Sequence, residues 1–106
     1  MGRDSLGEFE HQVLLAILRH GGESYSVPVV LELEERAGRE VTQAAVFIVL
    51  RRLEEKRLLR SRMEEDSGRS RRYFRITASG MNRLRESRQA LLQLWEGLDA
   101  ALDESR

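Results

Sequence analysis

The spacing of apolar residues changes twice along this chain, and the double change limits the fold more than any other feature. Apolar residues recur at helical spacing up to Lys56, alternate with polar residues from Leu59 to Ile76, and return to helical spacing after Thr77. The sequence therefore predicts three helices, a β-hairpin and a last helix, which is a mainly α fold with a small β-hairpin.

Three helices are predicted before the hairpin. The first covers residues 6–20, and the second has Ser26 as its N-cap and ends at Gly38. The third covers residues 41–56 and has Thr42 as its N-cap, because a threonine hydroxyl can accept a hydrogen bond from a first-turn N–H. Helices in this close succession are typical of a helix-turn-helix.

The third helix has two contrasting faces. Val46, Leu50 and Leu53 form one apolar stripe that is expected to face the core. The outer face carries Gln43, Ala44, Phe47, Ile48 and Arg51. This outer face combines side chains that can hydrogen-bond to the edge of a base with large apolar side chains that a merely solvated surface does not require.

The predicted hairpin has a polar tip at residues 65–68, and Arg69, Arg71 and Arg72 lie beside that tip. Three helices followed by a hairpin form a winged helix, whose third helix enters the major groove of double-stranded DNA while the wing lies along the backbone or the minor groove. The three arginines are suited to phosphate contacts. The alternative interpretation is a solvated surface that happens to be rich in arginine.

The distribution of charge supports the first interpretation. The net charge is zero, which by itself argues against binding to nucleic acid. However, residues 51–75 contain ten basic and five acidic side chains, whereas residues 1–50 contain four basic and eight acidic ones. The positive charge is therefore concentrated in the third helix and the hairpin.

The last helix, predicted for residues 77–102, carries a coiled-coil seam. Apolar side chains recur at alternating spacings of three and four, interrupted by Arg88, and the seam residues expected at a dimer interface are Leu84, Leu91, Trp95 and Leu98. A winged helix-turn-helix DNA-binding domain at residues 6–76 is too small to cover this seam, so a two-fold homodimer is expected. The alternative is a monomer whose last helix packs on the first.

The composition excludes several classes of protein. The chain has no cysteine and two histidines, so neither a disulfide framework nor a metal site is expected, and no cofactor is predicted. The apolar runs are too short for a membrane span and residues 1–5 do not resemble a signal peptide, so we expect a cytoplasmic chain with no membrane partner. No nucleophile, base and orienting group can be assembled, so we expect no enzyme activity.

Several segments together resemble the PadR family of transcriptional regulators, in its short form with a single C-terminal helix. They are LGEFEHQVLLAIL, LEERAGREVTQAAVFIVLRRLEEK, RYFRITASG and LWEGL, in this order. The resemblance implies a dimeric winged-helix repressor that a small molecule releases from its operator. The chain departs from the family pattern at Ser26 and Arg57, where glycine is usual, at Phe47, where tyrosine is usual, and at Ile48, where a small polar residue is common.

The function predicted from these features is sequence-specific binding of a palindromic operator in double-stranded DNA. Gln43 is expected to contact adenine and Arg51 guanine, while apolar side chains on the same face can pack on thymine methyls. The alternative function is a protein-interaction module in which Ala44, Phe47 and Ile48 bind another protein.

Trp95 is the only tryptophan, and its position on the seam allows two interpretations. One is an aromatic side chain packed in the dimer interface. The other is the wall of a pocket for a small aromatic effector, where a planar cation could stack on the ring.

Overall fold

The computed structural model describes residues 6–104 and arranges them as helices packed around one small sheet. In chain order the elements are α1 (Glu8–Arg19), β1 (Glu23–Ser24), α2 (Ser26–Ala37), α3 (Gln43–Glu55), β2 (Leu59–Asp66), β3 (Arg69–Ile76), α4 (Ala78–Trp95) and α5 (Asp99–Glu104). Helices α1 to α3 and the β2–β3 hairpin form a winged helix, which confirms the predicted fold class. The expectation that residues 1–5 are not a signal peptide concerns residues outside the described range.

One apolar core joins the first three helices, the sheet and the first half of α4. Its buried apolar side chains are Val13, Leu14, Ala16, Ile17, Val29, Leu33, Val46, Val49, Leu50, Leu53, Leu58, Leu59, Phe74 and Leu84. The predicted inner stripe of α3 lies in this set and is therefore confirmed. Burying a large apolar side chain stabilises a fold by roughly 1.5–3 kcal/mol, so this shared core fixes α3 against its neighbours.

The start of α2 differs from the prediction. Tyr25 is the N-cap, with extended backbone and no side-chain capping bond, and Ser26 is the first helical residue. The Ser26 hydroxyl instead accepts a hydrogen bond of 2.9 Å from Nε2 of Gln43 on α3. Ser26 was therefore assigned the wrong role, because its hydroxyl links two helices instead of closing one.

Both ends of α3 are closed by hydrogen bonds. The predicted N-cap is confirmed, since Thr42 Oγ1 accepts a bond of 3.0 Å from the N–H of Ala45. At the C-terminus the N–H of Leu58 donates to the Leu53 carbonyl and the N–H of Arg57 donates to the Glu54 carbonyl, both at 2.9 Å. This pair of bonds defines a Schellman motif, which requires a left-handed residue.

That left-handed residue is Arg57, which has a φ of 66°. The departure from glycine noted in the sequence thus has a structural consequence, because a side chain with a Cβ is disfavoured in this conformation. The turn that follows leads directly into β2.

The sheet has three antiparallel strands in the order β1–β3–β2. Strands β2 and β3 pair from Leu59 opposite Ile76 to Asp66 opposite Arg69. Ser67 and Gly68 both have positive φ, at 55° and 80°, which matches the tight type I′ turn that fits the twist of a hairpin. Strand β1 contains two residues and was not foreseen in the sequence.

Helix α4 begins where the wing ends. Thr77 Oγ1 accepts a bond from the N–H of Gly80 and donates to the Arg57 carbonyl, while the Thr77 N–H donates to the Leu58 carbonyl. A Cβ at Gly80 would clash with that same carbonyl oxygen and lie 2.7 Å from Ile76 Cγ1. Only glycine lets α4 approach the end of the wing this closely.

The last predicted helix is interrupted. Helix α4 ends at Trp95, Gly97 has a φ of 81°, and the short α5 follows at Asp99. The prediction of one helix through residue 102 is therefore wrong, because the left-handed glycine breaks the run of helical backbone bonds.

We expect Arg57→Gly to raise the free energy of unfolding by about 0.5–1 kcal/mol, because glycine adopts the left-handed conformation without a Cβ penalty but is freer in the unfolded chain. Urea denaturation followed by circular dichroism measures the change. Arg57→Ala is the matched control, since it removes the same charge and keeps the Cβ. Equal stability of the glycine and alanine variants would contradict this account of the turn.

Candidate nucleic-acid interface

The outer face of α3 is open to solvent. Gln43, Ala44, Ile48 and Arg51 are exposed, and Ile48 has 59% of its surface accessible. Phe47 lies at the border of the core, because it is 38% exposed while its ring packs edge-to-face on Phe74 with the centroids 5.8 Å apart. Four of the five predicted residues are therefore exposed, and Phe47 presents only part of its ring.

Gln43 also has a role inside the protein. Through its bond to the Ser26 hydroxyl it ties the first turn of α3 to the first turn of α2. A glutamine amide has two N–H donors and one acceptor oxygen, so this bond leaves one donor and the oxygen for a base edge. Gln43 therefore keeps the one donor and one acceptor that adenine recognition uses, while α2 and α3 stay linked.

Arg51 is connected to the wing through the carboxylate of Glu54. Its Nη1 lies 3.7 Å from Oε1 of Glu54, and Oε2 of Glu54 accepts a bond of 2.6 Å from the hydroxyl of Ser61 on β2. The Ser61 oxygen in turn accepts a bond of 2.9 Å from Nη1 of Arg72 on β3. The predicted base-contacting arginine and one predicted phosphate-contacting arginine thus belong to one polar network.

The three arginines near the tip of the wing do not share a face. Side chains alternate along a strand, so Arg69 and Arg71 point to one side of the sheet, whereas Arg72 points to the side of Phe74 that faces α3. The prediction treated them as one cluster, but the structure separates Arg72 from the other two. Arg69 is exposed at the tip, opposite Asp66.

Arg71 belongs to a layer of stacked side chains on the outer side of the wing. Its guanidinium lies 4.2 Å from the centre of the Tyr25 ring, and that ring packs edge-on against Tyr73 at 5.3 Å. The hydrogen bond between Arg71 and Tyr73 raises the pKa of Arg71. The layer fixes the wing to the start of α2.

Arg62 extends this layer toward β1. Its Nε lies 3.2 Å from a carboxylate oxygen of Glu23, its guanidinium lies 5.1 Å from the Tyr73 ring, and the hydrogen bond with Glu23 raises its pKa. Neither Tyr25 nor Glu23 was expected at the interface. Their positions depend on the two-residue strand β1, which carries no recognisable sequence pattern.

The predicted seam residues have different environments in α4. Leu84 is only 6% exposed because it is buried in the core of its own chain, so it is not free to serve as a seam residue as predicted. Leu91 is 53% exposed, and Trp95 and Leu98 are also exposed. The break at Gly97 places Leu98 beyond the end of α4. An exposed apolar surface therefore remains on the second half of α4 and at the start of α5.

A cavity of about 380 Å³ lies between α1 and α4, and Trp95 forms part of its wall. Its apolar lining is Leu15 and Leu18 of α1 with Met81, Leu84, Leu91, Leu92 and Trp95 of α4. The polar lining residues are His11, Arg85 and Arg88. The cavity thus combines an apolar wall with basic side chains, and none of the acidic side chains in the described range lines it.

Metal-binding clusters and membrane-spanning helices are both absent from the part of the chain that the structure describes. Between residues 6 and 104 no three histidine, cysteine or carboxylate side chains are grouped so that they could hold a metal ion. None of the helices in that range is long and apolar enough to cross a membrane.

Comparison with known proteins agrees with this geometry. A PadR family transcription regulator from hypervirulent Clostridium difficile R20291 superposes with a TM-score of 0.75 at 19% identity, over 91% of this chain and 99% of that one. The PadR family transcriptional regulator from Eggerthella lenta DSM 2243 gives 0.69 at 27% identity, over 85% and 80% of the two chains. The winged-helix DNA-binding protein F93 from STIV gives 0.66 at 15% identity, over 82% and 90%.

Sequence comparison with curated proteins gives no significant match. The model of the transcriptional regulator PadR-like family, however, matches residues 14–86. These residues include α2, α3, the wing and the first half of α4, and the match spans more than half of the chain. The chain belongs to the PadR-like family of transcriptional regulators.

Proposed function

We propose that this DNA-binding regulator is a homodimeric repressor that binds a palindromic operator and is released by a small aromatic effector. One observation supports the DNA-binding part of this proposal: the outer face of α3 is exposed, and it lies beside a wing that bears arginines. In this proposal Gln43 and Arg51 supply base contacts, and Ala44, Phe47 and Ile48 pack on thymine methyls. Thr42, at the N-terminus of α3, contacts a phosphate of the DNA backbone. Two copies related by a dyad would address half-sites about one helical turn apart.

A second candidate function is favoured by one observation. Ile48 is the most exposed large apolar side chain of α3, and with Ala44 and Phe47 it forms an apolar patch that could bind another protein. This alternative predicts no salt-dependent DNA binding. A DNA-binding assay at several salt concentrations therefore distinguishes the two functions.

The apolar surface on α4 and α5 supports the homodimer. Leu91, Trp95 and Leu98 are exposed in a single copy, and a second copy would remove them from water. Dimerisation through this surface would also bring two copies of the cavity between α1 and α4 close to the two-fold axis.

The charge of the cavity bears on the nature of the effector. A planar cation stacking on Trp95, which the sequence allowed, would meet the guanidinium groups of Arg85 and Arg88, and like charges repel. A planar aromatic compound that is neutral or carries a carboxylate suits this lining better. Such a compound would lower operator affinity only if it favours a dimer geometry that does not fit DNA.

The first prediction concerns the arginines of the wing. We expect Arg69→Gln, Arg71→Gln and Arg72→Gln each to weaken binding to every DNA sequence, and the triple variant to flatten the salt dependence by about 0.9 for each phosphate that the wing no longer neutralises. Fluorescence anisotropy at several salt concentrations measures both effects. Arg85→Gln on α4 is the control for the single variants, because it also removes one positive charge. An unchanged salt slope in the triple variant would mean that the wing does not contact the backbone.

A second prediction concerns assembly. Leu91→Glu should yield monomers in analytical ultracentrifugation, because a charge inside an apolar interface is left without a partner. Leu31→Glu on α2 is a matched control, since Leu31 is 57% exposed and Leu91 53%. A Leu91→Glu chain that stays dimeric at micromolar concentration would place the interface elsewhere.

A third prediction concerns the effector. Planar aromatic compounds of matched shape, carrying a positive charge, no charge or a negative charge, are titrated while the fluorescence of Trp95 is followed. We expect the neutral and negative compounds to quench the emission and to weaken DNA binding, and the positive compound to do neither. Quenching that leaves DNA affinity unchanged would make Trp95 a structural residue. Calorimetry on Trp95→Leu tests whether binding requires the ring.

A further inference from the structure

The carboxylate of Glu54 lies between two arginines of the candidate interface that belong to different elements. On one side it faces Arg51 of α3, and on the other the Ser61 hydroxyl connects it to Arg72 of β3. The Glu54 side chain is 30% exposed, so this negative charge lies at the open junction between α3 and the wing.

The direction of the hydrogen bonds couples Arg72 to Glu54 through the Ser61 hydroxyl. A serine hydroxyl has one hydrogen, and Ser61 donates it to Glu54. The lone pairs of the Ser61 oxygen are therefore left for the guanidinium of Arg72. Within residues 6–104 Glu54 is the one acidic side chain paired with Arg51, and no acidic side chain contacts Arg72 directly.

We propose that Glu54 is an internal competitor for the DNA contacts of Arg51 and Arg72, and that it lowers the affinity of α3 and the wing for DNA of any sequence. This inference rests on the proposed DNA-binding function. A phosphate oxygen and a carboxylate oxygen offer an arginine the same kind of charged acceptor. DNA must therefore displace Glu54 from Arg51, detach Arg72 from Ser61, and bring its own phosphates near a residual negative charge. Each of these steps opposes binding regardless of base sequence.

The size of the effect follows from the geometry. Two unit charges about 4 Å apart that are fully screened by water interact with an energy that corresponds to roughly a five-fold change in an equilibrium constant, and exposed ion pairs seldom exceed this. We therefore expect Glu54→Gln to tighten binding to a short duplex of mixed sequence by about five-fold at low salt. Its salt dependence should become steeper by up to about 0.9, because one more cation of the protein is available to a phosphate.

Two further variants separate charge from position. Glu55→Gln is the matched control, since it makes the same change one residue further along α3, where the side chain is exposed and Glu55 has no partner among the described residues. Ser61→Ala detaches Arg72 and keeps the carboxylate. We expect Ser61→Ala to tighten binding less than Glu54→Gln does, and Glu55→Gln to have the smallest effect.

A measurement without DNA tests the network itself. In NMR spectra of the free protein, the side-chain Nε–Hε signal of Arg72 should shift in Glu54→Gln and in Ser61→Ala, and stay in place in Glu55→Gln. Circular dichroism and urea denaturation establish that all three variants are folded. An Arg72 signal that does not respond to Ser61→Ala would overturn the proposed network.

The DNA measurements distinguish this inference from the proposed function. If the unmodified protein binds the duplex in a salt-dependent way, but Glu54→Gln and Glu55→Gln bind equally well, the inference is wrong and the function stands. If the unmodified protein shows no salt-dependent binding at all, both are wrong.

Discussion

The structure depends on the turn at residues 56–58, where α3 ends and the wing begins. Lys56 reaches back to α1, and its Nζ lies 3.0 and 3.1 Å from the two carboxylate oxygens of Glu10. Arg57 takes the left-handed conformation that reverses the chain, and the Leu58 carbonyl accepts the bond from Thr77 that starts α4. Four elements are therefore joined at one turn, and α3 cannot shift without disturbing each of them.

The ion pair at this turn is partly enclosed, and Glu10 shows how its surroundings compensate. Burial raises the pKa of the Glu10 carboxyl, but the hydrogen bond from the Gly7 N–H and the ion pair with Lys56 lower it by more, so that the net shift is downward. The charged form of Glu10 is thus the one that the fold favours. It also completes the first turn of α1, since Gly7 is the N-cap of that helix.

The sequence predicted the parts of this fold that depend on local pattern. Apolar spacing located the inner stripe of α3, and the capping role of Thr42 follows from residue type and position. Features that depend on distant partners were missed. Strand β1 is too short to show alternation of apolar and polar residues. The Ser26 hydroxyl could bond either to its own helix or to Gln43. By its spacing, Leu84 fits a dimer seam and a core equally well. Gly97 is a residue type that commonly ends helices, but the apolar spacing continues past it and therefore predicted one unbroken helix.

The same distinction applies to the candidate interface. Alternation along β3 already implies that Arg71 and Arg72 point to opposite sides, so the two faces of the wing could have been separated from the sequence. Their partners could not, because the Tyr25 ring and the Ser61 hydroxyl approach these arginines only after the sheet and helices have packed. Residue type and order predicted which side chains carry charge, whereas packing determines which of those charges are already partnered.

The break at Gly97 leaves α4 as a helix of 18 residues. At 1.5 Å per residue its length is about 27 Å. One end is fixed to the winged helix by Thr77 and Gly80, and Trp95 lies at the other end. In the proposed dimer, helix α4 would therefore act as a lever arm between the contact at Trp95 and the winged helix. A rotation of about 10° at the Trp95 end would move the winged helix by about 5 Å, which exceeds the spacing of roughly 3.4 Å between successive base pairs. In the proposed DNA complex, a change in angle of this size at the far end of α4 would be enough to take α3 out of step with the bases.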